Sequence, residues 1–210
     1  MEVVGSSPIL LTIRKLAYIG FLILRNESEC MEEMFDILDE NGNNTGLVKK
    51  RSLVHKDGDW HKAVHIYIIN DKKEVLVQRR SPNKDSDPNM LDISCAGHLT
   101  SGDDSITAAL RELKEELNLS VNPDELVYIT TLKRSPIHDD GFVDNEYDDL
   151  YLLHTTKRLD EMSMQKEEIS ELMFVDYERF KRMCREGQDD FVDLPDEYPI
   201  ILDVLDREIA

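Results

Sequence analysis

The sequence predicts an α/β fold in which helices pack on the faces of a mixed β-sheet. Strand-like runs and helical runs follow one another in the order strands, helix, strands, helix. Residues 105–117 have the apolar periodicity of an amphipathic helix. The chain has 210 residues, 40% of them hydrophobic, which is enough to bury the core of one such domain.

Two β-hairpins are predicted early in the chain. Residues 35–38 form the first strand-like run, the turn-forming residues 40–42 follow it, and the chain returns from Leu47. A second hairpin joins the apolar residues 63–69 to residues 74–78. These hairpins supply the first strands of the sheet.

The remaining elements are predicted from local apolar runs and from helix start and stop signals. The predicted strands and helices are strand 90–96 after a polar loop at 82–88, helix 105–117, strands 125–132, 149–155 and 172–175, helix 176–185 with Asp176 as its N-cap, and helix 199–209.

The charge balance excludes a bare nucleic-acid polymer as the main partner. Lys and Arg total 25 and Asp and Glu total 44, which gives a net charge of −19. A small phosphorylated ligand stays compatible with this charge, because a divalent cation can bridge carboxylates and phosphates. Cys30, Cys95 and Cys184 form no disulfide framework, which favours the reducing cytoplasm.

The first thirty residues differ in character from the rest of the chain. Their longest uncharged stretch, residues 16–24, has nine residues, whereas a membrane-spanning helix needs about 20. We therefore expect residues 1–30 to be an N-terminal extension outside the working domain, with residues 31–210 forming a single domain that includes a C-terminal helical segment. The alternative is an added helix that packs on the domain or on a partner.

The helix predicted at 105–117 has an unusual acidic cluster. A helical wheel places Ile106, Leu110, Leu113 and Leu117 on one buried stripe, and it groups Glu112, Glu115 and Glu116 on a different side of the helix. These carboxylates repel one another unless a cation binds there, and Mg²⁺ or Mn²⁺ prefers such oxygen ligands. The alternative is a solvated acidic face that pairs with basic residues of the same helix.

The loop and helix together resemble the signature motif of the Nudix hydrolases. Gly97 is followed after five residues by Asp103, and after seven more by Arg111-Glu112-Leu113-Lys114-Glu115-Glu116-Leu117-Asn118-Leu119. The sequence departs from the family pattern twice, with Asp103 in place of Glu and Asn118 in place of Gly. Asn also accepts the left-handed backbone conformation needed at a helix terminus.

The resemblance implies a Nudix-like α/β/α sandwich with a central mixed β-sheet, often dimeric at this size. It implies that Glu115 and Glu116 bind Mg²⁺ or Mn²⁺, with contributions from Glu112 and the Gly97 carbonyl. Arg111 would orient the carboxylates, and Glu112 and Glu116 are candidates for the general base. The implied activity is metal-dependent cleavage of a diphosphate bond in a nucleoside diphosphate or a nucleoside diphosphate linked to another group.

Further residues are similar to those of type I isopentenyl diphosphate isomerases, which share this fold. The metal centre of those enzymes uses three histidines and two glutamates. The residues at matching positions are His55, His61, His98, Glu146 and Asp148. They are therefore candidates for a second metal centre. The alternative for each histidine is a structural role.

One position argues for hydrolysis rather than isomerisation. The isomerases have their catalytic cysteine immediately before the Gly-His pair, whereas this chain has Ala96 there and Cys95 one residue earlier. In a strand, a shift of one residue turns the side chain to the opposite face. An isomerase-like enzyme and a catalytically inactive nucleotide-binding module remain the alternatives.

Three basic residues are candidates for binding the substrate phosphates. Arg79, Arg80 and Lys84 follow one another closely after the second hairpin, and the guanidinium group matches phosphate geometry. The alternative is that they offset the acidic surface. A small nucleotide and a second copy of the chain are the expected partners, without nucleic acid or membrane.

Overall fold

The computed structural model describes residues 32–84, 86–136 and 143–209. The N-terminal extension expected at residues 1–30 lies outside this part of the chain. The elements described below belong to one compact unit that begins at Met34.

The described part of the chain contains nine strands, four α-helices and three single 3₁₀ turns. The strands are β1 Met34–Leu38, β2 Asn44–Lys50, β3 His61–Asn70, β4 Glu74–Arg80, β5 Leu91–Asp92, β6 Cys95–His98, β7 Leu126–Arg134, β8 Glu146–Thr155 and β9 Ile169–Asp176. The helices are α1 Arg51–Asp57, α2 Ser105–Leu117, α3 Tyr177–Glu186 and α4 Tyr198–Ile209, and the 3₁₀ turns are Pro123–Glu125, Leu159–Glu161 and Gln188–Asp190.

The central sheet has seven strands and is mixed, as the sequence predicts. Strand β3 pairs in parallel with β8 along its whole length and antiparallel with β6 along its first half. Strand β4 pairs with β5 and β9, and β7 borders β8. Strands β1 and β2 form a separate antiparallel hairpin, so both predicted hairpins are present.

The side chains of β3 point alternately to the two faces of the sheet, and this divides the core into two layers. Val64, Ile66 and Ile68 pack against α2 on one face of the sheet, whereas Tyr67 and Ile69 pack with α3 and α4 on the other. This arrangement of helices on both faces confirms the α/β class predicted from the sequence.

The segment predicted as one strand at residues 90–96 is two strands that pair with different neighbours. Ser94, between β5 and β6, donates its hydroxyl to the Leu76 carbonyl at 2.6 Å and accepts the Ile68 amide at 2.8 Å. The Ser94 side chain thus replaces a hydrogen bond between strands at the point where the chain changes from one partner strand to another.

Helix α1 was not predicted, because its seven residues lack a side-chain cap and an apolar period.

Helix α2 begins and ends at the predicted residues. Asp104 caps its N-terminus by accepting the Thr107 amide, and Asn118 adopts the left-handed conformation at its C-terminus with φ of 55°. No described helix has the length and the apolar character that crossing a membrane requires.

Candidate functional site

The acidic cluster of α2 is divided between the interior and the surface. Glu112 and Glu116 are only 7% and 4% exposed, whereas 53% of the Glu115 side chain is exposed. Ala108 and Ala109 are buried with Leu113 and Leu117, while Ile106 and Leu110 are half-buried. The small alanines widen the buried face, so that two glutamates turn inward rather than forming a solvated acidic surface.

Gly97 provides the space for Glu112. A Cβ atom at Gly97 would overlap the Glu112 carboxyl group, so any other residue there forces this side chain to move. The glycine at the start of the signature motif is therefore explained by close contact between strand β6 and helix α2.

Arg111 holds the carboxylates from the side of the helix. Its Nη1 donates to Glu112 Oε1 at 2.7 Å and to Glu115 Oε2 at 3.2 Å, and its Nη2 donates to the His98 carbonyl at 2.8 Å. Asp103 lies 3.7 Å from Arg111 Nε. These contacts match the orienting role that the resemblance implies for Arg111.

The buried glutamates have the chemistry of a cation site. Burial and the neighbouring Glu112 raise the pKa of Glu116 to about 8. Glu116 Oε2 is buried, and no residue in the described part of the chain makes a hydrogen bond to it. A divalent cation would supply that partner and remove the repulsion, so these residues fit Mg²⁺ or Mn²⁺.

Three histidine rings meet where α1, β3 and β6 come together. His55 Nε2 lies 3.3 Å from His61 Nε2, and His98 Nε2 lies 3.0 Å from Glu146 Oε1. Glu146 Oε1 is also 3.6 Å from His61 Nε2. We call His55, His61, His98, Glu146 and Asp144 the histidine centre.

Asp144 completes this centre, and the sequence did not indicate it. Its Oδ1 lies 3.5 Å from His55 Nε2 and 3.7 Å from His61 Nε2, and residues 32–84, 86–136 and 143–209 supply no hydrogen bond to it. Asp144 belongs to an acidic stretch in which no spacing distinguishes one aspartate from another. Only the path of the chain into β8 brings it to the histidines.

Asp148, the remaining predicted ligand, lies beside this centre. It is fully buried, and its Oδ2 accepts from Arg134 Nε. Arg134 Nη2 also donates to Glu146 Oε2 at 3.1 Å, so one guanidinium group links the two carboxylates. The structure thus brings four of the five predicted residues together and connects the fifth to them through Arg134.

His61 is arranged to present the lone pair of its Nε2 atom. His61 Nδ1 lies 3.1 Å from the Asp59 carbonyl, which can only accept, so this nitrogen carries the proton and leaves Nε2 as an acceptor. Phe35 stacks on His61 and His98 with ring centroids 5.3 and 4.9 Å away. The ring orientations are therefore set by both packing and hydrogen bonding.

The electrostatics of the histidine centre favour neutral imidazoles at His55 and His61 and an ionised Glu146. Burial, followed by the nearby histidines, lowers the pKa of His55 to about 3 and that of His61 to about 4. Burial alone would raise the pKa of Glu146, but His98, His61 and Arg134 hold it well below its usual range. Burial and Glu146 raise the pKa of Asp144 to about 8.

The distances between the ligand atoms of this centre fit a transition metal or Mg²⁺. Ligand atoms about 2.1 Å from an ion lie roughly 3.0–3.4 Å apart, close to the separations found here. Four of the residues have ligand atoms that all lie within 4.8 Å of one another, namely His55, His61, His98 and Asp144. Neutral imidazole and carboxylate oxygen together suit Zn²⁺, Mn²⁺ or Mg²⁺.

The three candidate phosphate-binding residues have protein partners. Arg80 donates to Asp92 Oδ2 at 2.6 Å and to the Ser86 carbonyl, which anchors the loop after β4. Arg79 donates to Glu171 Oε2 at 3.2 Å. We call Glu112, Glu115, Glu116 and the Gly97 carbonyl the glutamate site. Lys84 pairs with Glu168 on the side of Glu116, so it is the one of the three basic residues whose charge acts on this site.

Cys95 and Ala96 lie on opposite faces of the sheet, as their order in a strand predicts. Cys95 is fully buried in the layer that contains α2, whereas Ala96 packs against the layer that contains α3 and α4. Burial and the neighbouring glutamates raise the pKa of the Cys95 thiol well above its usual value. The chain therefore has no thiol at the position before Gly97.

The fold and these two sites are those of a known family. The family model for the NUDIX domain matches residues 59–194. Nudix hydrolase 3 of Arabidopsis thaliana is 39% identical over 181 residues, which cover 83% of this chain and only 23% of that protein. An uncharacterised Nudix hydrolase of Clostridium acetobutylicum is 36% identical, with 72% of this chain and 73% of that protein covered.

The similarity extends to the isomerases and to solved structures. The isopentenyl-diphosphate Delta-isomerase of Streptomyces griseus is 30% identical, with 68% of this chain and 70% of that protein covered. The structure of DR0079 from Deinococcus radiodurans has a TM-score of 0.63 at 21% identity and covers 83% of this chain and 98% of that chain. The Nudix domain of Shewanella oneidensis NrtR, complexed with ADP-ribose, has a TM-score of 0.51 at 12% identity and covers 71% of this chain and 88% of that chain.

This chain belongs to the Nudix hydrolase family, in the branch that is similar to type I isopentenyl diphosphate isomerases. The resemblance inferred from Gly97 and the motif on α2 is therefore confirmed. So is the enzyme class at family level, a Nudix hydrolase acting on acid anhydrides of phosphorus.

Proposed function

We propose that the protein is a metal-dependent pyrophosphohydrolase. Its substrate would be a nucleoside diphosphate or a nucleoside diphosphate linked to another group. The observation that carries this proposal is the pair of buried carboxylates, Glu112 and Glu116, beside Gly97. One Glu116 oxygen has no hydrogen-bond partner among the residues that the structure describes.

Different residues of the glutamate site would bind the metal, accept a proton and position the carboxylates. Mg²⁺ or Mn²⁺ held by Glu112, Glu115, Glu116 and the Gly97 carbonyl would neutralise the diphosphate and acidify a water molecule. Glu112 or Glu116 would accept the proton of the attacking water. Arg111 would hold Glu112 and Glu115 in position, and Lys84 would turn from Glu168 to the departing phosphate.

The nucleotide part of the proposal has weaker support. The neighbouring NrtR domain is complexed with ADP-ribose, which contains a diphosphate bond between two sugars. Arg79 and Arg80 would meet substrate phosphates only if they release their present partners. We therefore expect the nucleoside to be selected by loops around the site rather than by these arginines.

An isomerase-like activity is the second candidate. It is favoured by the histidine centre, whose residues match the metal ligands of the isomerases, and it is disfavoured by Ala96 at the position of their cysteine. Cys95 cannot replace that cysteine without leaving its buried place on the other face of the sheet.

A substrate panel tests these functions. Nucleoside diphosphates, ADP-ribose and other linked diphosphates would be incubated with Mg²⁺ or Mn²⁺, and with a chelator as control, while phosphate and monophosphates are quantified. Metal-dependent release supports the proposal. Migration of the double bond in isopentenyl diphosphate without phosphate release would establish the isomerase, and tight nucleotide binding without turnover would establish the inactive binding module.

The expected homodimer, cytoplasmic location and domain boundary at residue 30 stay predictions.

A further inference from the structure

Glu197 is a carboxylate buried far from both candidate cation sites in sequence. It lies just before α4 and is 0% exposed. His65 Nδ1 donates to its Oε2 at 2.9 Å, and the Tyr67 hydroxyl donates to its Oε1 at 2.5 Å. Burying a carboxylate is unfavourable unless its oxygens are paired, and both oxygens of Glu197 are paired here.

The contacts continue from His65 towards the histidine centre. Ligand atoms of His65, Asp148 and Glu197 all lie within 4.8 Å of one another. Asp148 accepts from Arg134, and Arg134 donates to Glu146. Five buried or half-buried side chains therefore form a row from the segment before α4 to Glu146. Hydrogen bonds join its two ends, Glu197 to His65 and Asp148 through Arg134 to Glu146, and proximity joins His65 to Asp148.

The same three residues, His65, Asp148 and Glu197, have side chains of the types that bind metals. However, both oxygens of Glu197 and the Nδ1 of His65 are already used in hydrogen bonds within the protein. A cation would have to break these bonds. The His65–Glu197–Tyr67 part of the cluster is therefore already joined by hydrogen bonds, and in the described part of the chain only Asp148 Oδ1 of the cluster is left as a buried ligand atom without a partner. One such oxygen favours a hydrogen-bonded support over a third cation site.

We propose that Glu197 and His65 are positioning residues for the histidine centre. Glu197 fixes His65, which keeps Asp148 available to Arg134, and Arg134 in turn holds Glu146 towards His98 and His61. Ligand carboxylates owe their orientation to such partners, and changing those partners commonly costs about 10–100-fold in metal affinity. This inference rests on the proposal that the histidine centre binds a metal.

The two candidate cation sites allow a selective test. Co²⁺ titration followed by visible absorption reports the nitrogen-containing centre. Mn²⁺ titration by electron paramagnetic resonance, run with Zn²⁺ present to occupy the histidine centre, reports the glutamate site. Glu197→Gln should weaken Co²⁺ binding about tenfold and leave Mn²⁺ binding unchanged. Tyr67→Phe, which removes one hydrogen bond to Glu197 but keeps the ring, should weaken Co²⁺ binding by a smaller factor. The matched control is Glu208→Gln on the exposed side of α4.

The outcomes separate the two proposals. If Glu197→Gln lowers the melting temperature but binds Co²⁺ as the wild type does, Glu197 is merely structural and the inference is wrong. If that variant does not fold, unchanged Co²⁺ binding by Tyr67→Phe has the same meaning. A Co²⁺ band lost in His65→Gln but kept in His55→Gln would place the ion in the cluster and overturn the inference. If wild type and His55→Gln give the same spectrum, the histidine centre itself is wrong, and the inference falls with it.

Discussion

The two candidate cation sites are neighbours on strand β6, yet different parts of the sequence build them. The glutamate site takes its carboxylates from a single helix and needs only Gly97 from outside it. The histidine centre takes ligands from α1, β3, β6 and the start of β8. A local site of the first kind is encoded by spacing, whereas a site of the second kind exists only after the sheet has formed.

Their chemistry differs as well. The glutamate site offers oxygen atoms alone, and its two buried carboxylates repel each other. The histidine centre offers imidazole nitrogen atoms, those of His55 and His61 in neutral rings, together with Glu146 and Asp144. We therefore expect the first to prefer hard ions and to support hydrolysis, and the second to prefer transition metals.

The largest expected effect is that of Glu116→Gln on hydrolysis. The variant keeps the size of the side chain but removes the charge, and we expect kcat to fall about 10³-fold, as when a group that stabilises transition-state charge is lost. Steady-state kinetics with saturating Mg²⁺ measure it. Glu208→Gln, the same change on the exposed side of α4, should keep wild-type rates. Full activity of Glu116→Gln would contradict the proposed function.

The histidine centre should respond to a different variant. His55→Gln should lower the affinity for Zn²⁺ or Co²⁺ by at least about 100-fold, the upper range for disturbed metal sites, while hydrolysis changes less than about tenfold. Calorimetric titration and kinetics on the same preparation give both values. The exposed His154→Gln is the control. Equal loss of both properties would show that the two sites work as one.

Gly97→Ala tests the packing that joins β6 to α2. The added methyl group overlaps the Glu112 carboxyl, and overpacking of this kind costs about 1–3 kcal/mol of stability. We expect weaker Mn²⁺ binding along with this loss. Gly46→Ala has open space around its Cβ but a φ of +79°, so it should lose about 1 kcal/mol and keep Mn²⁺ affinity. Urea unfolding and Mn²⁺ titration distinguish the two.

The last effect, about 1 kcal/mol for each pH unit, is the pH dependence of stability without metal. The pKa of Glu116 is raised from 4.5 to about 8, so between these values the unfolded chain releases a proton that the folded protein keeps. The free energy of unfolding should therefore fall as pH rises from about 5 to 8, by about 1 kcal/mol per unit from this group. Urea unfolding of wild type and Glu116→Gln should show the difference, and saturating Mg²⁺ should remove it. Parallel pH profiles without metal would mean that Glu116 is not perturbed.

Much of the fold was predictable because its signals are local. The amphipathic period, the Asp104 cap and the tolerance of Asn118 for a left-handed terminus define α2 within one or two turns. Helix α1 and the break between β5 and β6 were not predictable in this way. The first has no cap, and the second depends on Ser94 reaching two other strands.

The sequence by itself determined that Glu112, Glu115 and Glu116 are neighbours, because residues three and four apart on a helix are close wherever the helix lies. It also placed Cys95 and Ala96 on opposite faces, since side chains in a strand alternate. Only the tertiary structure decided that Asp144 joins the histidines and that Glu197 pairs with His65 across 132 positions. Such contacts depend on strand pairing and on how the segment before α4 returns to the sheet, which no local spacing encodes.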